Sequence, residues 1–181
     1  MEDFEKGTTY SSPKEGGKSL EQNSIAEEVV REVQEAEPVI DWGEDEFGLR
    51  VLKVELPYGC FIRGIQIDQT SITVENFQLG WQLSEEKRKE MREHGIGSRL
   101  LRLFAAEALK QGISRIEGAV TRAALRTRAR VFGEASLTLK DAAGKSISFD
   151  EAMKQKEQTV LAITDLSKLD PETLHQVNDQ K

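Results

Sequence analysis

Apolar positions in the first third of the chain change from a helical period to the period of a strand. Within residues 20–36, apolar residues recur at helical spacing: Ile25, Val29, Val30 and Val33. This spacing predicts a short helix, and Ser24 with Glu27 fits a capping box near its start. The helix is expected to end before Pro38.

From Gly48 onward the pattern alternates, which predicts a run of strands. We expect strands over 48–56, 60–67 and 72–83, the third one bent or split near Gly80. Turn residues separate the three segments, so the pattern indicates an antiparallel meander.

A second amphipathic helix dominates the next part of the sequence. The polar run 84–90 predicts a loop or short helix, and a long helix follows Gly97. Its apolar face predicts burial against a sheet, most of all for Leu101, Phe104 and Leu109. Gly112 is expected to end it.

The remaining pattern alternates between helix and strand. It predicts strands over 113–120, 135–139 and 159–163, a helix over 121–132 and a short helix capped by Ser148 and Glu151. Asp170-Pro171-Glu172 is typical of the start of a terminal helix. The order of elements predicts an α+β fold with a mixed, mostly antiparallel sheet flanked by helices.

Charge divides the chain into unlike parts. The 181 residues carry a net charge of −7, but residues 1–47 hold 14 acidic and four basic side chains, and residues 84–130 hold 12 basic and six acidic ones. The basic stretch predicts either an anionic ligand nearby or solvated helix faces.

The same division predicts the domain organisation. We expect an acidic, largely disordered arm over 1–44 with a short helix near 20–36, one domain over 45–168, and a frayed tail over 169–181. Residues 1–18 have almost no large apolar groups and should be dispensable for folding.

Composition also excludes several classes of site. A single cysteine, Cys60, rules out an internal disulfide framework, and two histidines make a histidine-rich metal site implausible, so no metal is expected. There is no apolar run of about 20 residues and no signal-peptide pattern. These features predict a cytoplasmic protein without a membrane partner, and the net charge argues against general nucleic-acid binding.

The most informative motif is the loop Arg92-Glu93-His94-Gly95-Ile96-Gly97-Ser98 before the long helix. Its two glycines permit close approach of a ligand to the backbone. The first turn of the following helix offers unpaired N–H groups and the positive end of the helix dipole. Together these features predict an anion cradle, with Arg92 as a supporting cation.

The pattern Arg-x-x-Gly-x-Gly, read as Arg92, Gly95 and Gly97, resembles the pyrophosphate-binding motif of the GNAT superfamily of N-acetyltransferases. The similarity covers about 77–133, including the helix, the strand and the second helix after the loop. It implies an acyl-CoA N-acyltransferase-like fold and an enzyme that transfers an acyl group by direct attack of an amine. It further implies acetyl-CoA as cosubstrate, a small-molecule or protein amine as acceptor, and a cofactor-binding set of Arg92, His94, Gly95, Ile96, Gly97, Ser98 and Arg99.

Catalytic groups are less clearly indicated than the coenzyme site. A carboxylate could accept the proton of the amine, and Glu75 and Glu117 are the candidate bases. The family's thiolate-protonating tyrosine would fall near Arg128, where this sequence has no tyrosine.

Two alternatives therefore stay open. One is a catalytically silent GNAT-like module that binds the coenzyme or another protein. The other is an unrelated α+β module whose basic segment contacts an acidic protein or RNA. Four arginines could bind the 3'-phosphate of the coenzyme or an acidic partner: Arg122, Arg126, Arg128 and Arg130. The spacing of four places Arg122, Arg126 and Arg130 on one helical face, which could equally be a solvated face.

Overall fold

The computed structural model describes residues 20–155 and 159–169. The helices are α1 (Leu20–Glu35), α2 (Glu85–Glu93), α3 (Ile96–Lys110), α4 (Arg122–Phe132) and α5 (Phe149–Lys154). The strands are β1 (Val39–Glu44), β2 (Arg50–Leu56), β3 (Cys60–Gln66), β4 (Ser71–Gln78), β5 (Arg115–Val120), β6 (Leu137–Lys140), β7 (Ser146–Ile147) and β8 (Val160–Asp165). The arm over 1–18 and the terminal helix expected from 170 lie outside the described residues.

The described strands form one mixed sheet in the order β1-β2-β3-β4-β5-β8-β6-β7. β4 and β5 run parallel, and the other neighbouring pairs described are antiparallel. α3 makes the connection between β4 and β5, since parallel neighbours need a long crossover. β8 returns between β5 and β6. The predicted α+β class with a mixed, mostly antiparallel sheet is confirmed.

Helices α1 to α4 pack on one face of the sheet, and the main core between them and the sheet is centred on the middle of α3. Phe104 is fully buried among inward side chains of β2 and β3, including Leu52, Val54 and Ile62. Leu101 is buried as predicted, and Leu109 is partly buried at the edge of the same cluster. Side chains at the alternate strand positions point to the opposite face and form ion pairs there: Lys53–Glu55 and Arg63–Glu75.

The N-terminal helix and strand belong to the folded unit, which corrects the expected boundary at residue 45. Val30 and Val33 of α1 are buried in the main core, and β1 pairs with β2 along its whole length. The expected boundary falls in the turn between these two strands. α1 also begins at Leu20, so Ser24 lies inside the helix and is not its N-cap. β1 escaped prediction because it is an edge strand whose residues are mostly exposed.

Strand β4 is shorter than predicted because Gly80 interrupts the extended backbone. Its φ of 61° lies in the left-handed region, and the Leu83 N–H bonds to the Gly80 carbonyl at 2.8 Å to close a turn. Ser84 then caps α2, accepting a hydrogen bond from the Lys87 N–H. The polar run after β4 is therefore a helix.

A smaller cluster at the other end of the sheet joins α4, α5, β6 and β8 around Leu125 and Ala162. The predicted capping box of Ser148 and Glu151 is confirmed at the start of α5. Within 20–155 and 159–169, no helix is long and apolar enough to cross a membrane.

Candidate functional site

The parallel pair β4–β5 is the centre of the candidate site. The two strands pair at three positions only, from Ser71–Arg115 to Thr73–Glu117. Both strands continue beyond that point, β4 to Gln78 and β5 to Val120. Among the described residues, the backbone groups of 74–78 that face β5 therefore have no strand partner. Such an edge offers hydrogen bonds to an extended ligand that contains amide groups.

A β-bulge in β4 lies at the same place. The β3 partners of Val74 and Asn76 are consecutive residues, so Glu75 is an extra residue in β4. A bulge bends its strand and increases the local twist. β4 therefore bends close to Thr73, where its pairing with β5 ends.

Arg128 of α4 reaches the point where the two strands stop pairing. Its side chain is buried, and Nη1 donates to the carbonyl oxygen of Ala162 at 3.2 Å. A Cβ added to Gly118 would lie 3.3 Å from Nη2 of Arg128 and 3.2 Å from the carbonyl oxygen of Val74. Glycine at this position of β5 therefore leaves the space that the guanidinium fills.

The charge of Arg128 has no counter-ion among the described residues. Burial lowers the pKa of Arg128 to about 10, since desolvation disfavours the charged form. The group still carries its positive charge at neutral pH. A buried cation with one neutral acceptor is costly and is a candidate ligand-binding group.

The two predicted bases lie on the sheet face away from the helices. Glu117 is the last residue of β5 paired with β4, opposite Thr73, and it is half-buried. Glu75 is the bulged residue and forms an ion pair with Arg63. The structure thus brings both carboxylates to the end of the β4–β5 ladder, on the opposite side of the sheet from Arg128.

The two glycines of the predicted anion cradle have different structural roles. Gly95 has a φ of 73° and joins α2 to α3, with the Arg99 N–H bonding to its carbonyl at 3.0 Å. A Cβ added to Gly97 would lie 3.4 Å from side-chain atoms of both Phe77 and Leu79, an ordinary van der Waals contact, so Gly97 places the first turn of α3 beside the end of β4. The residues of this first turn, 96–98, are buried.

The charged residues predicted around the cradle are engaged elsewhere. Arg92 forms an ion pair with Glu85 of α2 at 2.6 Å, and half-exposed His94 lies 3.8 Å from Glu90. Arg99 donates to the carbonyl oxygens of Val33 and Ala36 at 2.6 and 2.8 Å. It therefore caps the C-terminal end of α1. This geometry places neither guanidinium at the first turn of α3.

The arginine face of α4 is the other concentration of positive charge. α4 contains four arginines and no acidic residue. Arg126 and Arg130 are exposed and Arg122 is half-buried. Within the described part of the chain, none of the three forms an ion pair.

Sequence reasoning missed the special position of Arg128. It grouped this residue with its neighbours, although the spacing of four places only Arg122, Arg126 and Arg130 on one face. Gly118 in the middle of a predicted strand was a second signal, since such a glycine often marks close approach of another group.

Cys60 is buried beside Met91, with 3.5 Å between the two sulfur atoms. Burial raises the pKa of its thiol, which disfavours a nucleophilic role. No group of histidine, cysteine, aspartate and glutamate residues in 20–155 or 159–169 has a metal-binding arrangement. No protein-family model matches this sequence, and no curated protein matches it significantly.

Proposed function

We propose that this protein is an acyl-coenzyme A dependent N-acyltransferase of the GNAT type. The observation that carries the proposal is the early end of the β4–β5 ladder beside the N-terminal turn of α3. This arrangement combines a free backbone edge, a helix N-terminus at the end of β4 and the cationic face of α4. The sequence motif at 92–97 and this topology support the same function independently.

The site fits the parts of an acyl-coenzyme A molecule in order. The two amide groups of a pantetheine arm can pair with the free edge of β4, as an added strand would. The N-terminal turn of α3 would favour the diphosphate. Arg92 and Arg99 are bound to other groups of the protein. The cations left for the 3'-phosphate are therefore those of α4, and Arg122 and Arg126 would hold it.

The chemistry requires a base near the end of the paired segment. Acyl transfer forms a C–N bond and breaks the C–S bond of the thioester. The amine loses a proton, and the coenzyme A thiolate leaves and takes up a proton from water. Glu117 and Glu75 flank the end of the ladder, and Glu75 forms an ion pair with Arg63. Either carboxylate could accept the proton through a water molecule.

One observation favours the silent coenzyme-binding alternative. Arg128, not a tyrosine, occupies the helix position where the family resemblance places the proton donor, and Glu75 is already ion-paired. A module with these features would bind the coenzyme without turnover.

Coenzyme binding is tested by thermal denaturation of the full chain with acetyl-CoA, coenzyme A and dephospho-coenzyme A. At 100 times the dissociation constant, a ligand adds about 2.7 kcal/mol of stability. We expect a smaller shift with dephospho-coenzyme A, and Arg126→Gln should make the shifts of acetyl-CoA and dephospho-coenzyme A more nearly equal. If acetyl-CoA produces no melting shift at millimolar concentration, the proposal fails.

Turnover is tested by thiol release on a panel of amines. Glu117→Gln and Glu75→Gln should lower the rate without abolishing the melting shift. Glu55→Gln is the matched control, because Glu55 also forms an ion pair on the outer face but lies on β2. Binding without thiol release on any amine would select the silent alternative.

A further inference from the structure

We infer that Arg128 binds a carboxylate at the end of the acyl group, so that the preferred cosubstrates are coenzyme A thioesters of dicarboxylic acids. This inference rests on the proposed function and names its substrate class.

The buried charge of Arg128 suits a carboxylate ligand. Arg128 is 3% exposed, donates to one backbone carbonyl and has no carboxylate partner within the described residues. A buried cation is strongly stabilised when an anion completes its hydrogen bonds. The planar guanidinium suits a carboxylate, which it can bind through two parallel hydrogen bonds.

Arg128 also lies at a suitable distance from α3 along β4. Gly97 of α3 approaches Phe77 and Leu79, whereas Arg128 lies beside Val74 and Gly118. Three to five strand residues separate these places, roughly 10–17 Å. An extended arm that starts with its diphosphate at α3 and follows β4 would bring its acyl end to Arg128.

The two faces of the sheet indicate that the carboxylate belongs to the acyl group and not to the acceptor. Arg128 lies on the helix face of the sheet, together with the proposed coenzyme groups. Glu75 and Glu117 lie on the opposite face, where they would attract a cationic amine. The anion that reaches Arg128 therefore belongs to the acyl group.

Isothermal titration of the full chain tests this inference with malonyl-, butyryl- and acetyl-coenzyme A. Malonyl and butyryl groups have similar length, but only malonyl carries a carboxylate. We expect malonyl-coenzyme A to bind roughly 10- to 100-fold more tightly than butyryl-coenzyme A, as expected for a hydrogen bond between charged groups. Arg128→Gln and Arg128→Met should remove this preference while acetyl-coenzyme A still binds.

Arg126→Gln is the matched control, since it removes one arginine from the exposed face of the same helix. This substitution should lower the affinity for all three thioesters by the same factor and keep the preference for malonyl-coenzyme A. Adding free glycine or aspartate should leave the malonyl preference unchanged if the carboxylate belongs to the acyl group. Displacement of malonyl-coenzyme A by free aspartate would instead assign the cation to an acidic acceptor and overturn the inference.

Two further results would also overturn it. Equal affinity of the wild-type protein for malonyl- and butyryl-coenzyme A removes the inference but leaves the proposed function intact. If both Arg128 variants still prefer malonyl- over butyryl-coenzyme A, the inference is likewise overturned and the proposed function stands. Lack of binding by coenzyme A and all three thioesters contradicts the proposed function, and the inference fails with it.

Discussion

Replacing Arg128 by methionine should make the free protein more stable. The guanidinium is buried between α4 and the sheet, donates to the Ala162 carbonyl, and has no counter-ion in the described residues. Methionine has a similar length and no charge, and it fills irregular apolar space well. When an apolar side chain of similar size replaces a buried charged group, the protein is often equally or more stable.

The magnitude follows from the pKa of Arg128, which burial lowers well below the usual range of a guanidinium, to about 10. A difference of that size disfavours the charged form in the folded state by about 3 kcal/mol. Loss of the hydrogen bond to Ala162 offsets about 1 kcal/mol. The free energy of unfolding should therefore rise by about 2 kcal/mol, and the melting temperature by roughly 4–8 °C.

The pH dependence has a defined sign. Because burial lowers the pKa of Arg128, the destabilisation by its charge is fully present below about pH 10 and fades only as the pH rises above that value. The stability difference between Arg128→Met and the wild type should therefore be constant between about pH 6 and pH 8.

Urea denaturation followed by circular dichroism measures the difference, with exposed Arg126→Met as the control. The control should change the free energy of unfolding by less than about 0.5 kcal/mol. If Arg128→Met lowers this free energy by more than about 1 kcal/mol while the control does not, Arg128 is a structural residue. That result would show that the buried charge of Arg128 is compensated in the free protein.

Three other predictions concern the frame around the site. Phe104→Ala should cost about 3–5 kcal/mol in urea denaturation, because the ring is fully buried, and an unchanged midpoint would contradict its place in the core. Arg99→Met should accelerate hydrogen exchange near the C-terminal end of α1, where Arg99 holds the Val33 carbonyl, and unaltered exchange there would contradict a capping role. Cys60 should react with a thiol reagent at pH 8 only after unfolding, since burial raises its pKa; rapid labelling of the native protein would disprove this.

Elements with strong local signals could be predicted from the sequence. α3 has a repeated apolar face centred on Phe104, and its burial follows from that period. Ser148 and Glu151 form their capping box from residues three apart in sequence, so no tertiary information is needed. Strands β2 and β3 show the alternation expected of a sheet with one buried face.

The features that create the candidate site depend on tertiary structure and could not be predicted. The bulge at Glu75 is visible only once β4 is paired with β3, and it reverses which residues of β4 face the core. Arg99 looks like a cation of the glycine loop in sequence but binds carbonyls more than 60 positions earlier. Likewise, burial of Arg128 depends on a glycine in β5 and a carbonyl in β8.

The proposed reaction is best understood from the two faces of the sheet. Along paired strands, the hydrogen-bonded backbone separates the helix face from the outer face. Beyond Thr73 and Glu117 this barrier ends, so a thioester lying along β4 could be reached from the outer face. Glu117 would then meet the amine on one side while Arg128 holds the acyl group on the other. In the proposed reaction, the end of the ladder that would supply backbone partners for the coenzyme would therefore also give the acceptor its path to the reacting carbon.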